Sequence, residues 1–304
     1  MSPTTSRPPD RTSARRADLT LLLATLVWGT SFVVVKAALA ASTPLAFTAL
    51  RFAIATVVLT PFARLPEPFA GTELRAGALL GALLAVGFAV QAVGLVFTTP
   101  ARSAFIVASS SVLAPVVAFV AVRERPRPWV IAALGLAGTG MYLLAAPSTG
   151  ALNRGDLWTL VTALCFAGQI VAVTELSRRH DPVRLVWMQT LWTAIGAGVA
   201  ATAFEEVRLE WSPGLLGALA YAAVFATALA LLWQMRAQRH LSSARAALVL
   251  CLEPVFAALA SWVWFNERLS ALQWTGGGLI LAGMVLAELP GNPQRSAIDR
   301  QRSS

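Results

Sequence analysis

Charge is scarce in this chain of 304 residues. Asp, Glu, Lys and Arg together make up 13% of it, against 57% hydrophobic residues and a mean hydropathy of +0.66. A water-soluble chain of this length cannot keep so much apolar surface out of solvent, so a soluble enzyme or regulator is excluded. Cysteine is almost absent. Cys165 and Cys251 lie in separate apolar stretches without a CxxC, which excludes a disulfide framework and leaves them as small hydrophobes in helix packing. The two histidines, His180 and His240, sit among arginines at helix ends, so no metal site is expected. The glycine-rich runs are followed by no Lys-Ser/Thr pair and preceded by no strand, so neither a nucleotide nor any other cofactor is implied. The net charge of +9 raises the question of nucleic acid. The arginines, however, fall in short clusters between apolar stretches, with no basic face and no aromatic ladder for bases.

Long apolar runs dominate what is present. Ten stretches of about 20 residues each suit membrane-spanning helices. They cover 19–39, 44–62, 76–97, 102–122, 128–146, 156–176, 183–203, 214–235, 243–265 and 270–289. Each is apolar all round, and within lipid only a helix satisfies its own backbone. Short connections predict that consecutive helices pack as antiparallel neighbours. Residues 1–17 and 290–304, polar and rich in arginine, are expected to be disordered cytoplasmic arms. The first apolar stretch is too long for a signal-peptide core and lacks a small-residue cleavage site, so it is expected to be retained. Arginines alternate by loop: Arg64, Arg75, Arg123, Arg125, Arg127, Arg178, Arg179, Arg184, Arg236, Arg239 and Arg245 fall on one side, against only Arg102, Arg154, Arg208 and Arg268 on the other. By the positive-inside rule both termini are cytoplasmic in a multi-pass protein of the cell membrane.

The first five spans resemble the second five. A shift of 138 positions places Asp18 on Asp156 and Pro44 on Pro182; a shift of 143 places Ala101-Arg102-Ser103-Ala104 on Ala244-Arg245-Ala246-Ala247. The later shift also matches Glu124-Arg125 with Glu267-Arg268, Gly135 with Gly278 and Gly140 with Gly283. An odd number of spans per unit forces opposite insertion of the two halves. The expected fold is therefore an all-α membrane protein of ten transmembrane helices in two inverted five-helix repeats, 18–147 and 154–289. Two oppositely inserted halves can expose one midplane site to either side in turn, as secondary transporters do.

Several local patterns are shared with a known family. They are Trp28-Gly29-Thr30-Ser31-Phe32 followed by Lys36, Pro44 with Arg51-Phe52, Glu253-Pro254, and Asn266-Glu267-Arg268-Leu269 before Trp274. Over residues 18 to 290 the chain resembles the drug/metabolite transporter (DMT) superfamily, specifically ten-helix EamA-type transporters. The resemblance implies a central cavity lined mainly by spans 1, 3, 4, 6, 8 and 9, and a carrier of amino acids, other metabolites or drug-like solutes. Export is implied by the resemblance alone. The repeat pattern breaks in one place: Pro254 aligns with Ser111, while Pro115 aligns with Ala258, so the two proline sites are not expected to be symmetry mates.

Fourteen of the fifteen carboxylates fall in tails, loops or span ends; Glu253 alone lies near the middle of a span. Burying its charge costs at least about 2.5 to 3.5 kcal/mol, so it is expected to be neutral, paired or facing water. One reading gives it a proton or a substrate ammonium to bind. The other has it pair with a buried base beside the Pro254 kink. Lys36 is the single lysine, in the last turn of span 1, where it either serves the site or snorkels outward. Arg51 lies two turns inside span 2; it and Lys36 either hold a substrate carboxylate or pair with Glu253. Trp28 beside Gly29 offers a flat wall next to accessible backbone. Gln91, Gln169, Gln189 and Gln234 add donors and acceptors, as does Ser110 within Ser109-Ser110-Ser111, where a bond to the helix's own backbone is the plainer alternative. The candidate substrate-binding residues are thus Trp28, Lys36, Arg51, Gln91, Ser110, Gln169, Gln234 and Glu253. The expected partners are a small-molecule substrate, the lipid bilayer and protons as coupling ion. A passive channel or a lipid-handling protein is the alternative. An intramembrane enzyme would need paired carboxylates or a nucleophile with its base at one depth, and the chain offers neither.

Overall fold

Proline and capping residues set where the helices begin. In a computed structural model, which describes residues 11–63, 68–97, 100–123, 128–145, 153–265 and 270–288, Pro44, Pro182 and Pro213 each open a helix after an extended residue. Proline suits that position because its missing N–H would have no partner there anyway. Asn153 and Asp156 form a reciprocal capping box, and Asp181 and Ser212 cap their helices through their side chains.

The first half contributes α1 (Arg11–Ala38), α2 (Pro44–Leu59), α3 (Gly71–Phe97), α4 (Pro100–Val122) and α5 (Pro128–Ala145). After α6 (Arg154–Leu176) and α7 (Pro182–Phe204), one rod is built from α8 (Pro213–Ala220), a π-helical stretch (Tyr221–Leu229) and α9 (Ala230–Gln238). α10 (Ser243–Leu250), α11 (Glu253–Phe265) and α12 (Ala271–Glu288) complete the chain. Among the described residues there is no strand, only an isolated bridge between Ser42 and Leu209. Six helical segments are long and apolar enough to cross a membrane, with shorter apolar helices at Ile106–Val122 and Pro128–Leu143.

Several expectations shift in detail. α1 is helical from Arg11, so the last part of the arm expected to be disordered continues the first helix. The ninth span is interrupted at Cys251 and Leu252, where α10 ends and α11 starts with Glu253-Pro254. Pro254 has no N–H for the carbonyl of Leu250 and its ring crowds that carbonyl. Pro115, by contrast, lies inside a continuous α4. The Glu124-Arg125, Glu267-Arg268 and Asn266–Leu269 patterns and residues 290–304 lie outside the described residues.

Consecutive helices are not the main packing partners. α3 packs on α6 and α7, the rod 213–238 packs on α1 and α2, α4 packs on α6, and α5 packs on α12. The halves therefore interlock, because each apolar face is completed by a helix from the other half. The α5–α12 contact brings backbone against backbone. A Cβ at Gly140 would lie 2.5 Å from the Gly276 carbonyl and 2.9 Å from Ile280, and one at Gly283 would lie 2.7 Å from the Ala133 carbonyl and 3.3 Å from the Ala137 nitrogen. Partner numbers fall as positions rise, as in an antiparallel pair. Connections seat on the opposite half as well. The Glu205 carboxylate, after α7, accepts the N–H groups of Leu45 (2.9 Å) and Ala46 (3.2 Å) at the start of α2, where a negative charge meets the positive helix end.

Candidate functional site

The eight residues singled out from the sequence come from seven helices and line one cavity of about 490 Å³. That size lies within the range of about 300–1,000 Å³ common for small-molecule sites. Helix α1 contributes Trp28 and Lys36 on a stripe of three- and four-residue steps, and α2 contributes Arg51. Gln91 projects from α3, Ser110 from α4, Gln169 from α6, Gln234 from α9 and Glu253 from the first turn of α11. The cavity reaches the surface beside exposed Lys36, Ala40 and Arg208.

Towards the opposite face the cavity ends in packed side chains. Ile170 and Leu250 form part of its floor, and beneath them Leu21, Leu241, Ala246 and Ala247 make a buried apolar cluster. A two-pronged ion pair lies on that side, Arg245 donating to Asp18 from Nε at 3.0 Å and from Nη2 at 2.6 Å. Arg178 donates to the Leu241 carbonyl at 2.8 Å, and buried Gln238 ties α9 to α6 through the Ile170 carbonyl and the Thr174 hydroxyl.

Arg51 is 6% exposed, about 10 Å along the axis from the start of α2. Its Nε–H donates to Thr227 Oγ1 at 2.5 Å and Nη2 to the Ala226 carbonyl at 3.2 Å, while its guanidinium carbon lies 5.1 Å from the Phe88 ring centre and 5.4 Å from that of Phe52. Trp28 Nε1–H donates to the same Ala226 carbonyl at 2.9 Å. Ala226 and Thr227 sit in the π-helical stretch, where the Thr227 hydroxyl reaches back five residues to the Ala222 carbonyl. π-Helical turns are often found at functional sites. Nothing in the local composition signals one, so this support for Arg51 was not visible in the sequence.

The pairing reading of the charged residues does not hold among the described residues. Glu253 forms no ion pair with Arg51 or Lys36, and no carboxylate meets either cation; Arg208 at the mouth is paired with Glu210 at 2.6 Å. Accessible backbone beside Trp28 is not found either, because the space at Gly29 is filled by the Glu253 carbonyl and by Phe256 of α11. Ser109 bonds back to the Ile106 carbonyl, as the plainer alternative anticipated, whereas Ser110 has no hydrogen-bond partner among the described residues. Gln189 lies behind the cavity wall, its Oε1 accepting from Gln169 Nε2 at 2.8 Å. Gln169 Oε1 is left buried without a partner. Phe88 and Phe166, not anticipated as site residues, form with Phe52 an edge-on aromatic wall with ring centres 5.1 and 5.2 Å apart. Their apolar identity gave no signal that set them apart from ordinary core.

Similarity to known proteins bears on the whole chain. The EamA-like transporter family model matches residues 15–146 and again 153–289. An uncharacterized transporter of Archaeoglobus fulgidus is 33% identical over 273 residues, covering 90% of this chain and 86% of its own. The uncharacterized inner membrane transporter YedA of Escherichia coli K12 is 28% identical, covering 87% and 88%. A crystallised protein with 19% identity superposes with a TM-score of 0.76 over 91% of this chain and 97% of its own, which is a likeness of fold. The chain is a membrane transporter belonging to the EamA-like transporter family, within the drug/metabolite transporter superfamily.

Proposed function

We propose that this chain is a secondary carrier that moves a small metabolite, amino acid or drug-like solute across the cell membrane by alternating access, with the cavity as its midplane site. The observation that carries this reading is the asymmetry of the cavity: helices of both halves meet around one chamber that reaches one face and ends in a packed apolar floor towards the other. A carrier caught open to one side has this form. A channel has both ends within reach. The proposed architecture is ten spans in two inverted halves with both termini cytoplasmic, so the open face is the outer one. The reciprocal contacts of Gly140 and Gly283 support the inversion, since a shift of 143 converts the partners of one glycine into the partners of the other.

Coupling is assigned to Glu253. The charged groups that share the cavity with it are Lys36, Arg51 and Arg208, none of them paired with it, so its carboxyl is available to exchange a proton for solute. The test is counterflow and uptake of a solute panel in proteoliposomes with an imposed pH gradient, comparing the native chain with Glu253→Gln. Saturable counterflow that depends on the gradient, with a variant that loses the gradient response, is the expected result. Unsaturable flux would indicate a channel, and a variant as gradient-driven as the native chain would rule out coupling at this residue.

A further inference from the structure

The cavity carries more positive charge than its walls balance. Arg208 is met by Glu210, but Lys36 and Arg51 meet no carboxylate among the described residues, and the cavity offers a single acid, Glu253. Arg51 is the more telling of the two. A buried guanidinium without a counter-ion is a costly arrangement unless an anion completes it. Its five N–H donors include one spent on Thr227 and one on Ala226, which leaves an edge able to hold a carboxylate by two parallel bonds. The bonds to the π-helical stretch and the flanking rings of Phe52 and Phe88 fix the plane of that edge. Such a fixed fork suits binding because little freedom is lost when the anion arrives.

Building on the carrier reading, we propose that the solute is an organic monoanion with an apolar, preferably aromatic, body. Its carboxylate sits on the free edge of Arg51, and its body lies against Trp28 and the wall formed by Phe52, Phe88 and Phe166. Charge balance selects this class over its rivals. Whether Glu253 is ionised or protonated, Lys36 and Arg51 leave a positive excess in the cavity, and one bound monoanion lowers it by one charge. A zwitterion leaves the excess as it was, and a cation increases it. Lys36, exposed at the mouth, draws the anion inward before Arg51 takes it.

The test uses four probes of one shape and different charge: 3-phenylpropanoate, 3-phenylpropanamide, 3-phenylpropylamine and phenylalanine. Binding to the purified full-length chain in lipid nanodiscs is read from tryptophan fluorescence and from the thermal midpoint. The propanoate is expected to bind at least about tenfold more tightly than the other three, and Arg51→Gln to remove about tenfold of that preference. Size-exclusion profiles establish that the variant is folded. If it is not, Lys36→Gln at the exposed mouth is the second variant, expected to weaken the propanoate alone. Equal binding of propanoate and amide, tighter binding of the amine or of phenylalanine, or saturable binding of none of the four would overturn the proposal. Counterflow separates it from the reading it rests on. Propanoate that binds without counterflow argues against a carrier but leaves the solute class intact, while counterflow favouring the amine or phenylalanine keeps the carrier and rejects the class.

Discussion

Arg51 and Glu253 stand out as ionisable side chains within apolar helical segments, yet their surroundings differ. Arg51 is held by a threonine, a carbonyl and two rings; Glu253 opens a helix and lines the same cavity. What keeps Glu253 in place is the contact of its helix with α1 at Gly29. A Cβ there would fall 2.7 Å from Phe256 Cβ, 2.8 Å from the Glu253 carbonyl and 3.0 Å from the Ala257 nitrogen. Backbone cannot swing aside as a side chain can, so Gly29→Ala is expected to push α11 away and lower stability by about 1–3 kcal/mol. Thermal unfolding in detergent measures this, and an unchanged midpoint would show that α1 and α11 are not in firm contact. That Glu253, Arg51 and Lys36 fall within apolar segments was legible in the sequence, where ionisable groups stand out because they are costly in lipid. That they do not pair with one another was not legible, since it depends on which sides of α1, α2 and α11 meet.

Pro44 and Pro182 mark helix starts in the sequence because their effect is local, and the structure adds Pro213 and the Asn153–Asp156 box, whose effects are equally local. Helix interiors were less legible. The π-helical stretch at Tyr221–Leu229 and the break at Cys251 and Leu252 both create the site, yet only the second carries a sequence mark, in Pro254. Helix pairing was misjudged, because short loops suggest neighbours in sequence while glycine and small side chains select neighbours in space. α5 and α12 test this directly. Gly140→Ala and Gly283→Ala each place a Cβ within 2.7 Å of a carbonyl on the opposite helix, so each is expected to cost about 1–3 kcal/mol and the two costs to be similar. Gly135→Ala in α5 and Gly277→Ala in α12 meet nothing within 4 Å. They are expected to be neutral or to stabilise by up to about 1 kcal/mol through helix propensity. A thermal melt of all four variants decides, and equal losses throughout would contradict the assigned α5–α12 contact.

At the scale of the molecule the question is what holds one face shut. The plug of Leu21, Leu241, Ala246 and Ala247 supplies the apolar seal, and the Asp18–Arg245 pair joins α1 to α10 at its edge. Both side chains of the pair are partly exposed, so solvent screens it and about 1 kcal/mol is a fair value. Asp18→Asn is then expected to raise the population open at this face about fivefold. A cysteine introduced as Leu21→Cys, with Cys165 and Cys251 changed to alanine, reports it through its rate of labelling by a membrane-impermeant maleimide. Charge exchange, Asp18→Arg with Arg245→Asp, is expected to restore slow labelling. Labelling as slow in Asp18→Asn as in its parent would remove the pair from any role in closure.

The sequence by itself determined that this chain belongs in a membrane, where the helices opened by Pro44 and Pro182 begin, and which ionisable side chains fall within apolar segments, because hydrophobicity, capping and the cost of intramembrane charge act within a segment or a single side chain. It also carried the match between residues of the first and second halves, which keep one order along the chain. Only the tertiary structure decided that the halves interlock, that Glu253 and the cations face one chamber without pairing, and that a π-helical stretch presents a carbonyl and a hydroxyl to Arg51. Those outcomes depend on which helix faces meet across distances of more than a hundred residues, and near-uniform apolar surfaces do not encode that choice in any local pattern.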